Sequence, residues 1–264
     1  MQWEDIKRTA ESTGADVGLV FQEDVQKTIL TALSRKELFN HLVFQGGTAL
    51  RLFYGNPRFS EDLDFVTIEG KKTDVLVKNA DHIQDFVEES YPFLDGSDVR
   101  IQKNDEIKRL VLKTQSNDLR QKLRVHIEAF QVPSYDNGPK ILDHRPFHPS
   151  VRVESMGEIL CDKLVALIGR NYIKGRDLWD VHYLVQERDI SIDRGLVEKK
   201  LDDYGIEDIE SSAALKRCKN EGLKALDNEM KRFLQKDIYR DYKERFNTIV
   251  QSSCELLDEA TRRL

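Results

Sequence analysis

The apolar residues of the N-terminal part follow first the period of a helix and then that of a strand. Apolar side chains recur about every 3.6 residues over residues 25–42, which predicts an amphipathic helix. The next segment, GGTALRLFY, opens on two glycines and predicts one or two helical turns ending at Gly55-Asn56-Pro57. After it, DLDFVTI alternates polar and apolar residues and predicts a strand, and residues 73–90 predict another helix.

Three later segments also alternate, and they predict consecutive strands of one sheet: DVRIQK, IKRLVLKT and KLRVHIEAF. In the third segment the apolar residues share one face and the polar residues share the other. That polar face carries Arg124, His126 and Glu128. Residues 136–149 contain three prolines and a glycine without any period, which predicts a linker or a loop that wraps around.

From residue 155 onward the pattern is helical throughout. A serine followed three residues later by glutamate, in SMGE, is typical of a helix N-terminus, and the helix it opens can run to Arg170. RDLWDVHYLVQER starts a second helix, and residues 192–201, 211–234 and 237–264 continue in helical register. The expected fold class is therefore α/β (α+β), with a mixed sheet and helices over 1–150 and an α-helical domain over 151–264.

Composition narrows the functional classes. Charged residues make up 33% of the 264 residues, and no apolar run approaches the roughly 20 residues that a membrane-spanning helix needs. The first residues, MQWEDIKRTAES, lack the basic region followed by an apolar region that is typical of a signal peptide. We therefore expect a cytoplasmic protein without a membrane partner. Its three cysteines are far apart, which predicts buried thiols rather than a disulfide frame or a structural zinc site. A net charge of −6 argues against indiscriminate nucleic-acid binding but leaves room for a local basic surface.

Gly46, Gly47 and Thr48 form the first candidate for ligand binding. Glycine lets the backbone approach a ligand closely, and a helix N-terminus offers N–H groups and a positive dipole end, so the segment suits a phosphate. The signal is weak by itself, since it matches neither the Walker A loop nor the dinucleotide fingerprint, and a plain structural turn also explains it. Arg51 and Arg58 flank the turn and either bind phosphate or are ordinary surface charges.

Asp62 and Asp64 form the second candidate. On a strand, the period of two sends both carboxylates to one face, where they repel each other, while Leu63 turns to the core. A divalent cation offsets that repulsion, and Mg²⁺ commonly joins one or two carboxylates to substrate phosphates. If the KLRVHIEAF strand is a neighbour, Glu128 is a possible third ligand. Solvated side chains at a strand end remain the alternative for all three.

These residues carry a resemblance to a known family. GGTALRLFY followed by RFSEDLDF resembles the signature of the AbiEii-type nucleotidyltransferase toxins, relatives of the MenT toxins in the DNA polymerase β-like superfamily. The superfamily motif is a Gly-Gly or Gly-Ser turn followed by Asp-x-Asp. Gly47-Thr48 and Asp62-Leu63-Asp64 fill those places, and the threonine keeps the hydroxyl of the family's serine.

The resemblance extends to the predicted helical pair, through DKLVAL and RDLWDVHYL. It implies that Lys163, Asp177 and Asp180 belong to the active site, and that Lys163 and Arg176 bind the nucleotide. A lysine there can neutralise charge that builds up on a triphosphate during transfer. Without the resemblance, these residues would read as a solvated charged helix face.

The implied activity is that of a magnesium-dependent nucleotidyltransferase acting as a toxin. It would transfer a nucleoside monophosphate from an NTP to an RNA acceptor, the 3' end of tRNA in the best-known relatives, and a cognate antitoxin protein is a possible partner. Basic residues in KNDEIKRLVLKTQ and LRQKLR either face the RNA or serve solubility. Two other hypotheses remain open: a nucleotide- or RNA-binding sensor without catalysis, and a kinase, which is disfavoured because no kinase motif set is present.

Overall fold

The computed structural model describes residues 2–103, 107–116, 123–206 and 211–262. The chain divides into two compact units. Unit 1 consists of Met1–Gly55 and Phe59–Glu154, and unit 2 consists of Asn56–Arg58 and Ser155–Leu264. A compact unit is not by itself an independently folding domain, so the predicted boundary at 150/151 stays a prediction.

Unit 1 is built on a mixed sheet with helices, which confirms the expected fold class. Its helices are α1 Trp3–Thr13, α2 Val17–Arg35, α3 Gly46–Tyr54, α4 Asp74–Lys78 and α5 Ala80–Ser90. Its strands are β1 Leu42–Gln45, β2 Leu63–Ile68, β3 Gly96–Lys103, β4 Ile107–Gln115, β5 Leu123–Ser134, β6 Asn137–Ile141 and β7 Ser150–Glu154. Their order across the sheet is β3-β4-β5-β2-β1-β7-β6, so β2 lies at the centre.

The structure confirms the predicted set of three consecutive strands and the predicted strand faces. Strand β2 pairs in parallel with β5 and antiparallel with β1, and β3, β4 and β5 form a consecutive antiparallel set. Leu63 and Phe65 of β2 and Ile127 of β5 are completely buried, as their alternation predicts. The apolar face of these strands therefore packs into the core, and the charged residues lie on the other face, which also carries the buried Val66 and Val111.

The helix predicted over residues 25–42 was placed too far along the chain. It starts earlier because the carboxylate of Asp16 accepts hydrogen bonds from the N–H groups of Gly18 and Leu19, at 2.9 and 3.2 Å. It ends at Arg35, and Glu37 then adopts a left-handed backbone conformation with φ of 57°. The remaining apolar positions of the pattern belong to a short 3₁₀ turn and to β1.

Two further predictions for unit 1 need correction. The helix expected over 73–90 is divided into α4 and α5, which meet at Asn79. The linker or loop expected over 136–149 contains strand β6, which pairs antiparallel with β7. Pro139 has no N–H to donate, but β6 is an edge strand, where a missing donor is tolerated.

Unit 2 is helical, as the sequence predicts. Its helices are α6 Met156–Gly169, α7 Gly175–His182, α8 Arg194–Asp203, α9 Ser211–Phe233, α10 Lys236–Lys243 and α11 Phe246–Thr261. A π-helical turn, Tyr183–Glu187, continues α7, and the helix expected over 237–264 is two helices. The predicted cap of α6 is present, since the Ser155 hydroxyl accepts a hydrogen bond of 3.1 Å from the Glu158 N–H.

The cysteine and membrane predictions can be compared with the described residues. Cys161, Cys218 and Cys254 are buried free thiols, as expected. Within those same residues, every helix is too short or too polar to cross a bilayer.

Candidate active site

Asp62 and Asp64 lie at the start of the central strand of unit 1. Asp62 precedes β2, Asp64 is the second residue of β2, and both are partly exposed. Leu63 between them is completely buried, so the alternation of the strand turns Asp64 to the face opposite the core. Two carboxylates thus stand close together in sequence at the middle of the sheet, where water and ligands have partial access.

Three buried side chains hold the backbone that leads into β2. The side-chain amide of Gln26 donates to the Ser60 carbonyl at 3.0 Å, and that of Gln22 donates to the Glu61 carbonyl at 3.0 Å. The Thr48 hydroxyl donates to the Asp62 carbonyl. Neither glutamine was predicted from sequence, although polar amides inside the apolar stripe of a helix are a usable signal. The Thr48 hydroxyl positions Asp62 here, and its predicted phosphate contact stays a prediction.

Gly46 brings the first turn of α3 against the Asp64 side chain. Its φ of 79° lies in the left-handed region, and a Cβ built on it would lie 3.0 Å from Asp64 Oδ2. Gly46, Gly47 and Thr48 form the start of the helix and are buried. The first-turn N–H groups of a helix lack intrahelical acceptors, and the helix dipole is positive at this end. Both features stabilise negative charge beside Asp64, so the predicted phosphate cradle has a suitable position.

We expect Gly46→Ala to lower activity more than it lowers stability. The added methyl group forces the Asp64 carboxylate to shift by a few tenths of an ångström. If Asp64 takes part in the reaction, such a shift lowers the rate, by up to about 10²-fold for a misplacement that approaches 1 Å. Gly70→Ala is the matched control, because Gly70 has φ of 75° and a Cβ added to it would meet no atom within 4 Å. Both variants share the backbone strain, so steady-state turnover and thermal melting of the two separate that strain from the steric contact with Asp64. Equal turnover in the two variants would contradict a role for this contact.

Glu128 is the cross-strand neighbour of Asp64. The two residues are register partners in the parallel pair of β2 and β5. The KLRVHIEAF strand is therefore a neighbour of the strand that carries the aspartates, as a third ligand from it would require. The Glu128 carboxylate, however, lies 2.8 Å from the Arg109 guanidinium of β4 and 3.7 Å from the His126 ring. The Arg109 pairing was not foreseen from sequence, because it depends on the register between two strands. A metal-ligand role for Glu128 stays a prediction.

A second cluster of charges lies inside unit 2. Lys163 Nζ of α6 lies 2.8 Å from Asp177 Oδ1 and 3.0 Å from Asp180 Oδ2, both on α7. Arg170 also donates to Asp177, and Arg58 makes two hydrogen bonds to Asp180. The face of α6 that carries Lys163 therefore packs against the face of α7 that carries Asp177 and Asp180. The three cations and two carboxylates leave one net positive charge, while the active-site roles of Lys163, Asp177 and Asp180 stay predictions.

Burial acts against the charges of Asp177, Asp180 and Lys163 in this cluster, and their partners overcome it. Burial alone would raise the pKa of the Asp177 carboxyl, but Lys163 and Arg170 hold that pKa well below its usual value. Burial also opposes ionisation of Asp180, and Arg58 and Lys163 lower its pKa. Burial would lower the pKa of the Lys163 ammonium, but the two aspartates raise it. All these groups are therefore charged at neutral pH, where their pairing stabilises unit 2.

Arg58 corrects the interpretation of the loop that contains it. It is 1% exposed and bonds to Asp180 through both Nε and Nη2, so it is not an ordinary surface charge. Asn56 joins the same network, donating to Asp180 at 2.9 Å and accepting from the Trp179 indole at 2.9 Å. The Asn56–Arg58 segment is thus an integral part of unit 2.

Arg176 lies at the N-terminus of α7, where Glu229 holds it. The Glu229 carboxylate accepts from the Gly175 and Arg176 backbone N–H groups and lies 3.1 Å from Arg176 Nε. This carboxylate complements the positive end of the helix dipole. A Cβ on Gly175 would lie 2.3 Å from the Ala225 carbonyl oxygen, so only glycine allows this approach of α7 to α9. The nucleotide-binding role implied for Arg176 stays a prediction.

Comparisons with known proteins agree with this fold. Two Helicobacter pylori crystal structures are similar: JHP933, at a TM-score of 0.54, and a protein provisionally titled a nucleotidyltransferase, at 0.55. Each is 19% identical to this chain. The alignment with JHP933 covers 92% of this chain and 95% of JHP933. The alignment with the second protein covers 91% of this chain and 96% of that protein. At that identity the likeness shows the fold alone. No curated protein matches.

The sequence itself matches a family profile over residues 28–253, which is most of the chain. That profile describes the nucleotidyl transferase AbiEii toxin of type IV toxin-antitoxin systems. The matched range includes the glycine turn, the Asp62/Asp64 pair and the helices of the Lys163 cluster. This chain therefore belongs to the AbiEii family of nucleotidyltransferase toxins.

Proposed function

We propose that this nucleotidyltransferase transfers a nucleoside monophosphate from an NTP to the 3'-terminal hydroxyl of an RNA, with tRNA as the first acceptor to test. The family itself implies an NTP substrate and an antitoxin partner. One observation carries the proposal: a carboxylate of the Asp62/Asp64 pair adjoins the glycine-lined start of helix α3. Groups that suit a metal ion and groups that suit a phosphate therefore lie side by side in unit 1.

The side chains fit the divalent cation that the family implies. Asp62 and Asp64 offer only oxygen ligands, they are partly exposed, and Mg²⁺ typically uses one or two carboxylates together with substrate phosphates. Glu128 would join them only on releasing Arg109. Bound at this pair, Mg²⁺ would supply positive charge to the triphosphate and orient it for in-line displacement. We therefore propose Asp62 and Asp64 as the metal ligands and Glu128 as a conditional third.

The remaining steps belong to residues of the chain. The N–H groups at the start of α3, from Gly46 to Thr48, hold the triphosphate and favour its negative charge. The acceptor oxygen forms a bond to the α-phosphorus, the bond to the bridging oxygen of pyrophosphate breaks, and the hydroxyl proton passes to a carboxylate of the site. Gln22 and Gln26 keep the Asp62 backbone in place during these steps. A cytoplasmic location also stays part of the proposal.

The test is incorporation of label from each of the four α-³²P-labelled NTPs into purified tRNA, with Mg²⁺ and with excess chelator. We expect labelled RNA and one pyrophosphate per nucleotide transferred, for at least one NTP, and no product with chelator. Release of a γ-phosphoryl group onto an acceptor would instead identify a kinase. Tight nucleotide binding without product over many enzyme equivalents would contradict transfer and favour the sensor hypothesis.

A further inference from the structure

The polar face of the sheet in unit 1 continues outward from the two aspartates. Residues directly opposite each other in a sheet point to the same face. Glu128 is opposite Asp64 on one side and Arg109 on the other, and Arg109 is opposite Gln102 of β3. The same face therefore extends from β2 across β5 and β4 to β3.

Exposure increases along this direction. The exposed fraction of the side chain rises from 14% for Glu128 to 36% for Arg109 and 65% for Arg100. The opposite face of the same strands is the core face, with Leu110, Leu112 and others completely buried. The polar face thus opens toward solvent as it leaves the aspartates, as an entry path for an acceptor requires.

Three cations converge at the open part of this face. Lys113 of β4 lies opposite Arg124 of β5, and Arg100 lies on the neighbouring strand β3, opposite Val111. All three line one cavity of about 450 Å³, together with Asp95 and Asp98. Asp98 pairs with Arg100 at 2.9 Å, but both side chains are more than half exposed, so the pair is weak and exchangeable. We call Arg100, Lys113 and Arg124 the basic patch.

The basic patch lies where it could contact the phosphate backbone of a nucleic acid whose terminal nucleotide is at the aspartates. Strands in a sheet are about 4.8 Å apart and rise about 3.3 Å per residue, which puts the patch roughly 10 to 15 Å from the Asp62/Asp64 pair. That distance corresponds to phosphates a few nucleotides from the reacting end.

We propose that the basic patch binds backbone phosphates in the single-stranded 3' segment of the RNA acceptor. The inference rests on the proposed function, since it takes the acceptor to be RNA. Arginine and lysine contacts to phosphate fix the register of a nucleic acid without reading its sequence. The patch therefore positions the acceptor end without selecting it by base. Part of the basic LRQKLR segment, residues 119–122, lies outside the described residues.

The test compares two triple variants of the full chain. Arg100→Ala/Lys113→Ala/Arg124→Ala removes the basic patch, and Lys7→Ala/Arg8→Ala/Lys78→Ala removes the same charge from exposed positions of α1 and α4. Fluorescence anisotropy with labelled tRNA measures binding, and steady-state kinetics separate the KM values for RNA and for NTP. Thermal melting checks that both variants fold.

For the patch variant we expect a KM for RNA and a Kd for tRNA raised at least about tenfold, with the KM for NTP unchanged. The slope of log Kd against log salt should become shallower by about 2, since each single-stranded phosphate contact contributes about 0.7. Equal RNA affinity and salt slope in the two variants would overturn the proposal. If the wild type binds tRNA but transfers nothing, the anisotropy measurement still tests the basic patch while the proposed transfer fails. A wild type that does not bind tRNA overturns the patch proposal, and the label-incorporation assay then decides the proposed function separately.

Discussion

Replacing Asp64 by asparagine should lower nucleotide transfer on the order of 10³-fold, because a metal ligand supplies several kcal/mol of charge stabilisation in the transition state. The change keeps the shape of the side chain, and it removes one of two like charges at the start of β2. The melting temperature should change little, because the relief of this repulsion offsets the lost attraction between the Asp64 carboxylate and the start of α3. Single-turnover transfer assays and thermal melting measure the two effects.

Glu69→Gln provides the matched control for this variant. Glu69 is exposed and directly follows β2, so the substitution removes the same charge from the other end of the same strand. We expect it to leave transfer within a factor of two or so of the wild type, since surface changes of this kind are usually neutral. An Asp64→Asn variant as active as the control would contradict a catalytic role for the pair.

Replacing Asp180 by alanine should destabilise unit 2 by about 3–5 kcal/mol, because breaking a buried ion pair leaves its partner charged and without compensation. The Arg58 side chain is 2% exposed and makes two hydrogen bonds to this carboxylate, and Lys163 lies 3.0 Å from it. Urea denaturation followed by far-UV circular dichroism gives the free energy of unfolding. The loss should shrink below pH 4 or so, where the carboxylate of the unfolded chain is protonated.

Asp258→Ala is the control for burial. Asp258 pairs with Arg262 at 2.7 Å on the surface of unit 2, with 41% and 71% of the side chains exposed. Exposed pairs contribute less than about 1 kcal/mol, so this variant should unfold almost as the wild type does. Similar small losses in the two variants would mean that the Arg58 network adds little to the stability of unit 2.

The parts of the site that follow a local period were predictable from sequence. Alternation in DLDFVTI assigns Leu63 to the core and Asp64 to the opposite face, and the structure has this arrangement. The same rule separates Ile127 from Glu128 on β5. Glycine at the start of α3 was recognisable because close approach of a backbone to a ligand or side chain requires it.

Contacts between distant segments were not predictable in this way. Arg58 follows a proline in an apparent loop, and its burial depends on Asp180, 122 positions later. Gln26 donates to Ser60, 34 positions away, and the Arg109–Glu128 pair depends on the register of two strands. No local period encodes any of these pairings, because each partner is set by tertiary packing.

Composition was misleading where an irregular sequence forms regular structure. Proline and glycine over residues 136–149 predicted a loop, yet β6 forms there, because an edge strand tolerates Pro139. The apolar stripe over residues 25–42 suggested one helix, yet the left-handed conformation at Glu37 interrupts it. A hydrophobic period records which residues are buried, and it does not by itself record where an element ends.

The proposed mechanism requires Asp62 and Asp64 to hold the divalent ion needed for transfer. It is tested most directly by titrating Mn²⁺, followed by electron paramagnetic resonance, into the wild type and the Asp64→Asn variant with a non-hydrolysable NTP analogue. We expect the variant to bind the protein-held Mn²⁺ at least about tenfold more weakly, because it has lost a carboxylate ligand. Identical Mn²⁺ affinity in the two proteins would contradict it.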